Sequence, residues 1–532
     1  MNKQKLDNLI ATFFTCNRAD LMDIFNEYLS VLEASDGHAP GGLMSRNYET
    51  AQVNPEIHVL PGNLKDARDA IFPYFWGTDE WFSKMHLENV KGPANYASLI
   101  GALACLLKNP NLCVDTYSQR SNELEVKAIT SLANLVFYQT DSPWGVFTMG
   151  GTISNLYGGR IGIEKTSLSA MSKGLQGRRL AGIVSEAAHY SNKTVAGWLG
   201  IGTDNLFSVP TDRAFAMDLK ELANLLESLY SDGMTVAFVI ATFGSTDAFG
   251  VDDIKGMRAI IAEKAAKFNV PQPQLHVDAA VGWTLSFLAE YDVAKNPLEV
   301  DAEALPMIAK AKAATEGFRY ADSVTIDFHK MGWGHYPSSA FIVNRRDDLR
   351  CLLRSKETMP YFCEAEYRRD PALFTLECSR PAIGPYALMA SLNSIGLEGY
   401  QTLVLNALET THYMKRKIDE MEYCKVLNME AFGPAVVWWV LPKGRDAKDI
   451  FARIEAGKLP DEAYERYCAE VRHLFDRRST TMNSFKDPRL SFTTSIGRNP
   501  YGRSLPAWKA ILFNPRTDKA VVDQVIQSIE DL

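Results

Sequence analysis

Lys330 stands in DSVTIDFHKMGWGHYPSSAFIV, residues 322–343, where a strand-like apolar run enters His329-Lys330 and glycines then force an abrupt turn. The amine therefore projects from a strand end toward a cleft. A lysine alone in such a place is ordinarily a solvated surface residue, so it needs partners to mean more. Asp278 is the first of them. QLHVDAAVGW, residues 274–283, is an apolar strand ending in a carboxylate and two small residues. A carboxylate at the end of a buried strand must be paired or hydrogen-bonded. A pyridinium nitrogen is one suitable partner, because the negative charge keeps the ring nitrogen protonated; an Asp capping the next helix is the alternative.

An anion has its own candidate site. FTMGGTISNLYGGRIG, residues 147–162, places Gly150-Gly151-Thr152 between a strand and a helix. Glycines let backbone N–H groups approach an anion, and a helix N-terminus adds favourable partial charge. The turn matches neither GxGxxG with its downstream acid nor the Walker pattern GxxxxGK, which argues against NAD and nucleoside triphosphates. Two further strand ends offer a flat ring and hydroxyls. SEAAHYSNKTVAG (185–197) carries His189, which standing alone reads more often as a satisfied core histidine, and ATFGSTDAFGVDDI (241–254) carries Ser245, Thr246 and Asp253.

Positioning these groups requires a sheet. From about residue 143 the short β-rich runs GVFTM, AGIVSE, NLFSVP, TVAFVIATF, QLHVDAA, SVTIDF and SAFIVN alternate with helical patterns. That alternation implies βαβ units, an α/β fold and a mainly parallel sheet with ligands at the C-terminal strand ends. Helical spacing of apolar residues marks the first 45 or so positions, then 95–108, then 122–138 with Asn122 as its cap. After residue 400 a long helical region, VLNMEAFGPAVVWWVLP, a helix near 446–457 and LSFTTSIG indicate a smaller α+β unit.

The bulk composition removes several classes of function. With 46% hydrophobic and 23% charged residues over 532 positions, the chain is an ordinary globular protein. A net charge of −8 with scattered basic residues argues against nucleic acid as a partner. The longest apolar runs, such as AVVWWVL at 435–441, fall far short of the roughly 20 residues that cross a bilayer, so no membrane association is expected. The N-terminus gives no sign of export. Eight cysteines without a CxxC pair and nine histidines without HxxxH or HExxH argue against a disulfide framework and a metal site, and place the protein in the reducing cytoplasm.

Taken in order, FTMGGTISNL, HYSNK, ATFGST, HVDAA, DFHK and ECSRP resemble the group II pyridoxal-phosphate decarboxylases, which include glutamate, aspartate, aromatic and tyrosine decarboxylases. The likeness spans roughly residues 60–530. It implies that Lys330 is the Schiff-base lysine for pyridoxal 5'-phosphate, that Asp278 partners the pyridine nitrogen, and that His189 stacks on the ring with Ala280 against its other face. Gly151 and Thr152 would hold the phosphate, with His329 as a further contact. Thr246 would face the cofactor, with Ser245 able to exchange roles with it. Tyr361, in the long charged stretch 355–380, would return the proton to the substrate α-carbon, with Tyr367 as the alternative. The sequence departs from the family pattern at Ile153-Ser154, Trp283, Phe328 and Cys378. None of these removes a required group, but Trp283 can reshape the pocket.

The resemblance implies fold type I, the aminotransferase-like class of pyridoxal-phosphate enzymes, with a mixed, mostly parallel sheet between helices. We divide the chain into an N-terminal helical segment (1–110), a large cofactor domain (111–395) and a C-terminal small α+β domain (396–532). The expected reaction is decarboxylation of an L-amino acid, acidic or aromatic, to its amine and CO2, by a homodimer. The alternatives are another fold type I reaction (transamination, carbon–carbon cleavage or aldehyde synthesis) and a non-catalytic homologue. Arg120, in DTYSQRSNELE, is a candidate partner for a substrate side-chain carboxylate; a surface salt bridge is the competing reading.

Overall fold

The computed structural model describes residues 83–138, 144–354 apart from 168, 370–482, 487–497 and 504–532, together with 60–71, Tyr74 and scattered positions before residue 31. All seven β-rich runs are strands: β1 (Trp144–Thr148), β2 (Leu180–Ser185), β3 (Leu206–Val209), β4 (Thr235–Thr242), β5 (Gln274–Asp278), β6 (Ser323–Asp327) and β7 (Ser339–Val343). They form one sheet in the order β1-β7-β6-β5-β4-β2-β3. Pairing is parallel from β6 through β3, and β7 runs against both of its neighbours. Every residue of β2 and β6 is buried, as continuous apolar runs in a sheet covered on both faces should be.

Four helices hold the strand ends in place. The expected helix at 95–108 is α1 (Tyr96–Lys108), capped by Asn95, whose Oδ1 accepts the Ser98 N–H at 2.8 Å. The backbone N and Nδ2 of Asn95 both donate to the Trp333 carbonyl at 2.7 Å, so the start of α1 is tied to the turn just beyond Lys330. The next helix, α2 (Arg120–Leu135), begins earlier than expected. Gln119 takes the cap position, while the Nδ2 of Asn122 donates to the Asp115 carboxylate at 2.7 Å. Because the helix starts at Arg120, Asn122 is already inside its first turn and cannot occupy the cap position, which is why the Asn-cap reading failed.

After β1 comes α3 (Gly151–Thr166), pressed close against the sheet. Gly158 and Gly162 permit that approach. A Cβ on the first would lie 2.6 Å from the His276 ring, and on the second 2.4 Å from the Ala237 carbonyl oxygen. The long α4 (Ile383–Glu420) breaks at Gly396, where φ is 70°. It leads to a second, four-stranded antiparallel sheet, β10-β11-β9-β8, made of β8 (Cys424–Val426), β9 (Ala435–Val440), β10 (Ser491–Thr493) and β11 (Ala507–Ile511). The expected buried strand at 435–441 is β9. The stretch around Leu87 is not helical: Leu87 bonds Arg489 and Ile511 across the backbone, lying against this second sheet. Most of the first 45 positions lie outside the described residues. Among the described residues no helix is long and apolar enough to cross a membrane, and no His, Cys, Asp and Glu cluster could hold a metal ion.

One buried ion pair ties α2 to the segment before α4. Arg380 Nη1 and Nη2 meet Glu125 Oε1 and Oε2 at 2.7 and 3.0 Å, and both side chains are almost fully enclosed. Glu125 Oε1 also accepts the Phe147 N–H at 2.9 Å, and Arg380 donates to the Phe147 and Leu112 carbonyls, so the pair also holds β1. Burying a charge this completely is tolerable only while its partner stays, and removing one partner costs roughly 3–5 kcal/mol. We expect Arg380→Met to lower the apparent unfolding temperature markedly, and the double substitution Glu125→Leu with Arg380→Met to recover much of the loss. Thermal unfolding followed by circular dichroism checks both.

Candidate active site

The C-terminal ends of β1, β2, β4, β5 and β6 carry, in turn, Gly150-Thr152, His189, Ser245-Thr246, Asp278-Ala280 and His329-Lys330. Because these strands run in the same direction, all five ends open on one edge of the sheet. The structure thus brings together the residues anticipated from sequence, with Tyr361 and Tyr367 lying outside the described residues.

Lys330 Nζ lies 2.9 Å from Asp327 Oδ2, the last residue of β6. Asp327 is buried, accepts a 2.6 Å hydrogen bond from Ser339 Oγ, and lies 3.6 Å from His329 Nε2. Burial alone pulls the Lys330 ammonium down, but the negative charges of Asp327 and Asp278 outweigh it and raise the lysine above its ordinary value. The converse holds for Asp327. Burial pushes the acid up, and the opposing Lys330 and His329 charges with the Ser339 bond bring it below the usual carboxylate range.

The turn beyond Lys330 explains two departures from the family pattern. Phe328 fills space that Gly332 and Gly334 leave: a Cβ on either would come within 2.4 Å of the Phe328 ring. Trp283 is fully buried and donates from Nε1 to the Asp327 carbonyl at 3.1 Å. It therefore braces the backbone just before the lysine turn.

Asp278 is half-buried; its Oδ2 accepts from Asn155 Nδ2 at 2.8 Å and its Oδ1 from the Ala280 N–H at 3.2 Å. His189 Nδ1 faces Ser191 Oγ at 2.8 Å and accepts the Ser191 N–H at 3.3 Å, which leaves the ring proton on Nε2. Burial, then the Lys330 charge, lower its pKa, so the imidazole is neutral at physiological pH. His329 is buried, with Nδ1 3.1 Å from the Ser338 carbonyl and its ring 3.8 Å from that of Tyr336.

The loop after β4 separates two hydroxyls that sequence left interchangeable. Ser245 Oγ accepts the Gly250 N–H at 2.8 Å within the loop itself, whereas the Thr246 hydroxyl makes no hydrogen bond among the described residues. The second sheet holds this loop in place. Lys509 on β11 pairs with Asp247 at 2.6 Å, and Asn428 Nδ2 donates to the Ala248 carbonyl at 2.9 Å. Arg120 is 89% exposed and pairs with Glu123 at 3.2 Å, the surface salt bridge that competed with a substrate role. Asn155, His276 and Asp327 were not singled out from sequence, although all three lie inside the quoted motifs.

A model of the pyridoxal-dependent decarboxylase conserved domain matches residues 40–441. The chain belongs to that family. It is a pyridoxal-phosphate-dependent amino-acid decarboxylase of fold type I. An acidic amino acid decarboxylase, GADL1, of Xenopus tropicalis is 24% identical over 392 residues, covering 73% of this chain and 67% of the relative. An L-2,4-diaminobutyrate decarboxylase of Acinetobacter baumannii is 25% identical, covering 66% and 68%. Among solved structures, apo mouse CSAD superposes with a TM-score of 0.76 at 18% identity over 97% of this chain and 99% of that one. Oryza sativa TDC with PLP and tryptamine gives 0.77 at 16% over 98% and 99%. At these identities the structural likeness speaks to fold.

The decarboxylase's own residues fit the cofactor. No side chain caps α3; its Ile153 and Ser154 N–H groups bond the Gly150 carbonyl, the Gly151 and Thr152 N–H groups ahead of them have no i−4 carbonyl within the helix, and a Cβ on Gly150 would meet nothing within 4 Å. That is open room for an anion at a helix N-terminus. The Asp327–Lys330 pair predicts its own perturbation. In Asp327→Asn the burial that disfavours the lysine charge loses its main counterweight, so the Lys330 pKa falls. Labelling of the apoenzyme amine by trinitrobenzenesulfonate, located by peptide mapping, should then begin at lower pH than in the wild type. An unchanged pH profile would show that Asp327 does not set the lysine charge.

Proposed function

We propose that this decarboxylase carries pyridoxal phosphate on Lys330 and converts an L-amino acid, acidic or aromatic, to its amine and CO2. The observation that supports this reading best is the meeting of a largely enclosed lysine and two carboxylates at adjacent strand ends, beside a neutral imidazole and an uncapped helix N-terminus. Asp278 would hold the proton on the ring nitrogen. Neutral His189 would lie flat against one face of the ring and Ala280 against the other. Gly151 and Thr152 would take the phosphate, with His329, Thr246 and the loop of Ser245 closing the remaining sides. Bound there, the cofactor supplies an electron sink for the bond broken at the substrate α-carbon. Asp327 keeps the Lys330 amine charged whenever it is free, and Tyr361 is proposed to return the proton to the α-carbon.

The breadth of substrate rests on relatives. GADL1 is named for acidic amino acids, and the Oryza sativa structure holds tryptamine. A screen of the twenty amino acids for CO2 release with amine formation tests the reaction and selects the substrate together. Lys330→Ala should abolish turnover and the visible absorption of the bound cofactor, with borohydride no longer fixing it to protein. Asp278→Asn should still bind the cofactor, though more weakly, while turnover falls on the order of 100-fold or more, the scale on which single preorganised electrostatic groups act. Full turnover in either variant contradicts the assignment.

We further propose that the protein works in the cytoplasm as a homodimer. Cys105, Cys113, Cys351, Cys378 and Cys424 carry free thiols, as a reducing compartment allows. On α1, Tyr96, Ile100, Leu103 and Leu107 recur at helical spacing and are all exposed, an apolar row fit for a second copy of the chain. Because α1 begins on the lysine turn, a copy docked there would brace the site. Ile100→Glu with Leu107→Glu should convert a dimer into a monomer in analytical ultracentrifugation; a wild-type monomer, or a variant that still dimerises, argues against this face.

A further inference from the structure

Behind Asp278 lies a chain of buried polar groups in which every hydrogen bond has one consistent direction. It starts far from the site, at the ion pair of Lys165 with Asp348, 2.8 Å long. Lys165 Nζ also donates to Gln274 Oε1 at 2.7 Å, which fixes the orientation of that amide and turns its Nε2 toward Ser323 Oγ at 3.0 Å. Having accepted there, Ser323 directs its own hydrogen to His276 Nδ1 at 2.8 Å. The His276 ring is fully buried, and burial depresses its pKa to about 3, so it is neutral and carries its one proton on Nε2. That nitrogen lies 3.0 Å from both Asn155 Oδ1 and Thr325 Oγ1, and Thr325 Oγ1 donates to the Asn155 oxygen at 2.7 Å. With the Thr325 hydroxyl and the shared His276 proton facing its oxygen, the Asn155 amide presents its nitrogen to Asp278 Oδ2 at 2.8 Å and to Asn192 Oδ1 at 3.3 Å.

We infer that Asn155 is the positioning residue of Asp278, held in one orientation by His276 and Thr325, so that the carboxylate stays aimed at the cofactor's ring nitrogen. The inference rests on the proposed pairing of Asp278 with that nitrogen. Flipping the amide would set its oxygen against the carboxylate and its nitrogen against two donors. Asn155 is almost fully buried, so water does not replace a lost donor. The residue sits in the second turn of α3, and the close approach of that helix to the sheet is what brings it into reach.

The test is a double-mutant cycle on cofactor affinity, measured by spectrophotometric titration of the apoenzyme with pyridoxal phosphate. Asn155→Ala should raise the dissociation constant on the order of tenfold, the scale of one lost charge-assisted bond. In an Asp278→Asn background the same change should have little further effect. Asn155→Asp, close in shape, should bind the cofactor weakly at neutral pH, where two carboxylates face each other, and regain affinity as pH falls and the new acid becomes a donor. This acid rescue keeps the idea testable if Asn155→Ala does not fold. Equal effects of Asn155→Ala with and without Asp278, or a pH-independent loss in Asn155→Asp, would overturn the positioning role. Wild-type cofactor binding and turnover in Asp278→Asn would instead overturn the reading of Asp278 itself.

Discussion

Two carboxylates, the half-buried Asp278 and the buried Asp327, end adjacent strands of a sheet covered on both faces, and each needs hydrogen-bonding or charged partners there. Much of the surrounding structure answers that demand. A buried anion without partners would take up a proton or unfold the strand end that holds it. Asp327 is satisfied by a cation and a hydroxyl, Asp278 by an amide and a backbone N–H. The difference in partners separates their chemistry. The Lys330 ammonium contacts Asp327 directly, whereas the hydrogen bonds to Asp278 come from neutral donors.

Holding these partners in register is the work of the helices. Asn155 reaches Asp278 only because α3 lies almost in contact with the sheet, which its glycines allow and a single methyl at Gly158 would prevent. The lysine turn is gripped from three sides: by Trp283 on the Asp327 carbonyl, by Phe328 filling the space over Gly332 and Gly334, and by Asn95 on the Trp333 carbonyl. The second sheet contributes as well. Lys509 and Asn428 clamp the loop that presents Thr246, so the position of one hydroxyl depends on residues more than 180 positions away in the chain.

The strands and their chemistry-bearing ends were legible in the sequence because both are local. An apolar run stopping at His329-Lys330 or at Asp278 followed by small residues is visible without knowing what packs above it. The positions of Asn155, His276 and Asp327 were not legible, since their significance is tertiary: each gains a role from a partner on another element. Asn122 misled for the same reason, as its side chain reads as a helix cap until Asp115 is placed beside it. Ser245 and Thr246 could not be told apart from their types, because the distinction is whether the loop folds back on one hydroxyl.

Arg120 shows the limit from the other side. A guanidinium near a substrate-side motif is chemically suited to an acidic side chain, yet its helix places Glu123 one turn away and satisfies it at the surface. Its exposed position, not the weak pair with Glu123, is what sets it apart from the enclosed strand ends. Lys330 is committed to Asp327, Arg380 to Glu125 and Lys509 to Asp247. These three cations are thus already paired with carboxylates of the chain itself. The choice between an acidic and an aromatic side chain therefore falls to groups beyond these pairs, which is why the fold and the cofactor site can be read from this chain more readily than its substrate.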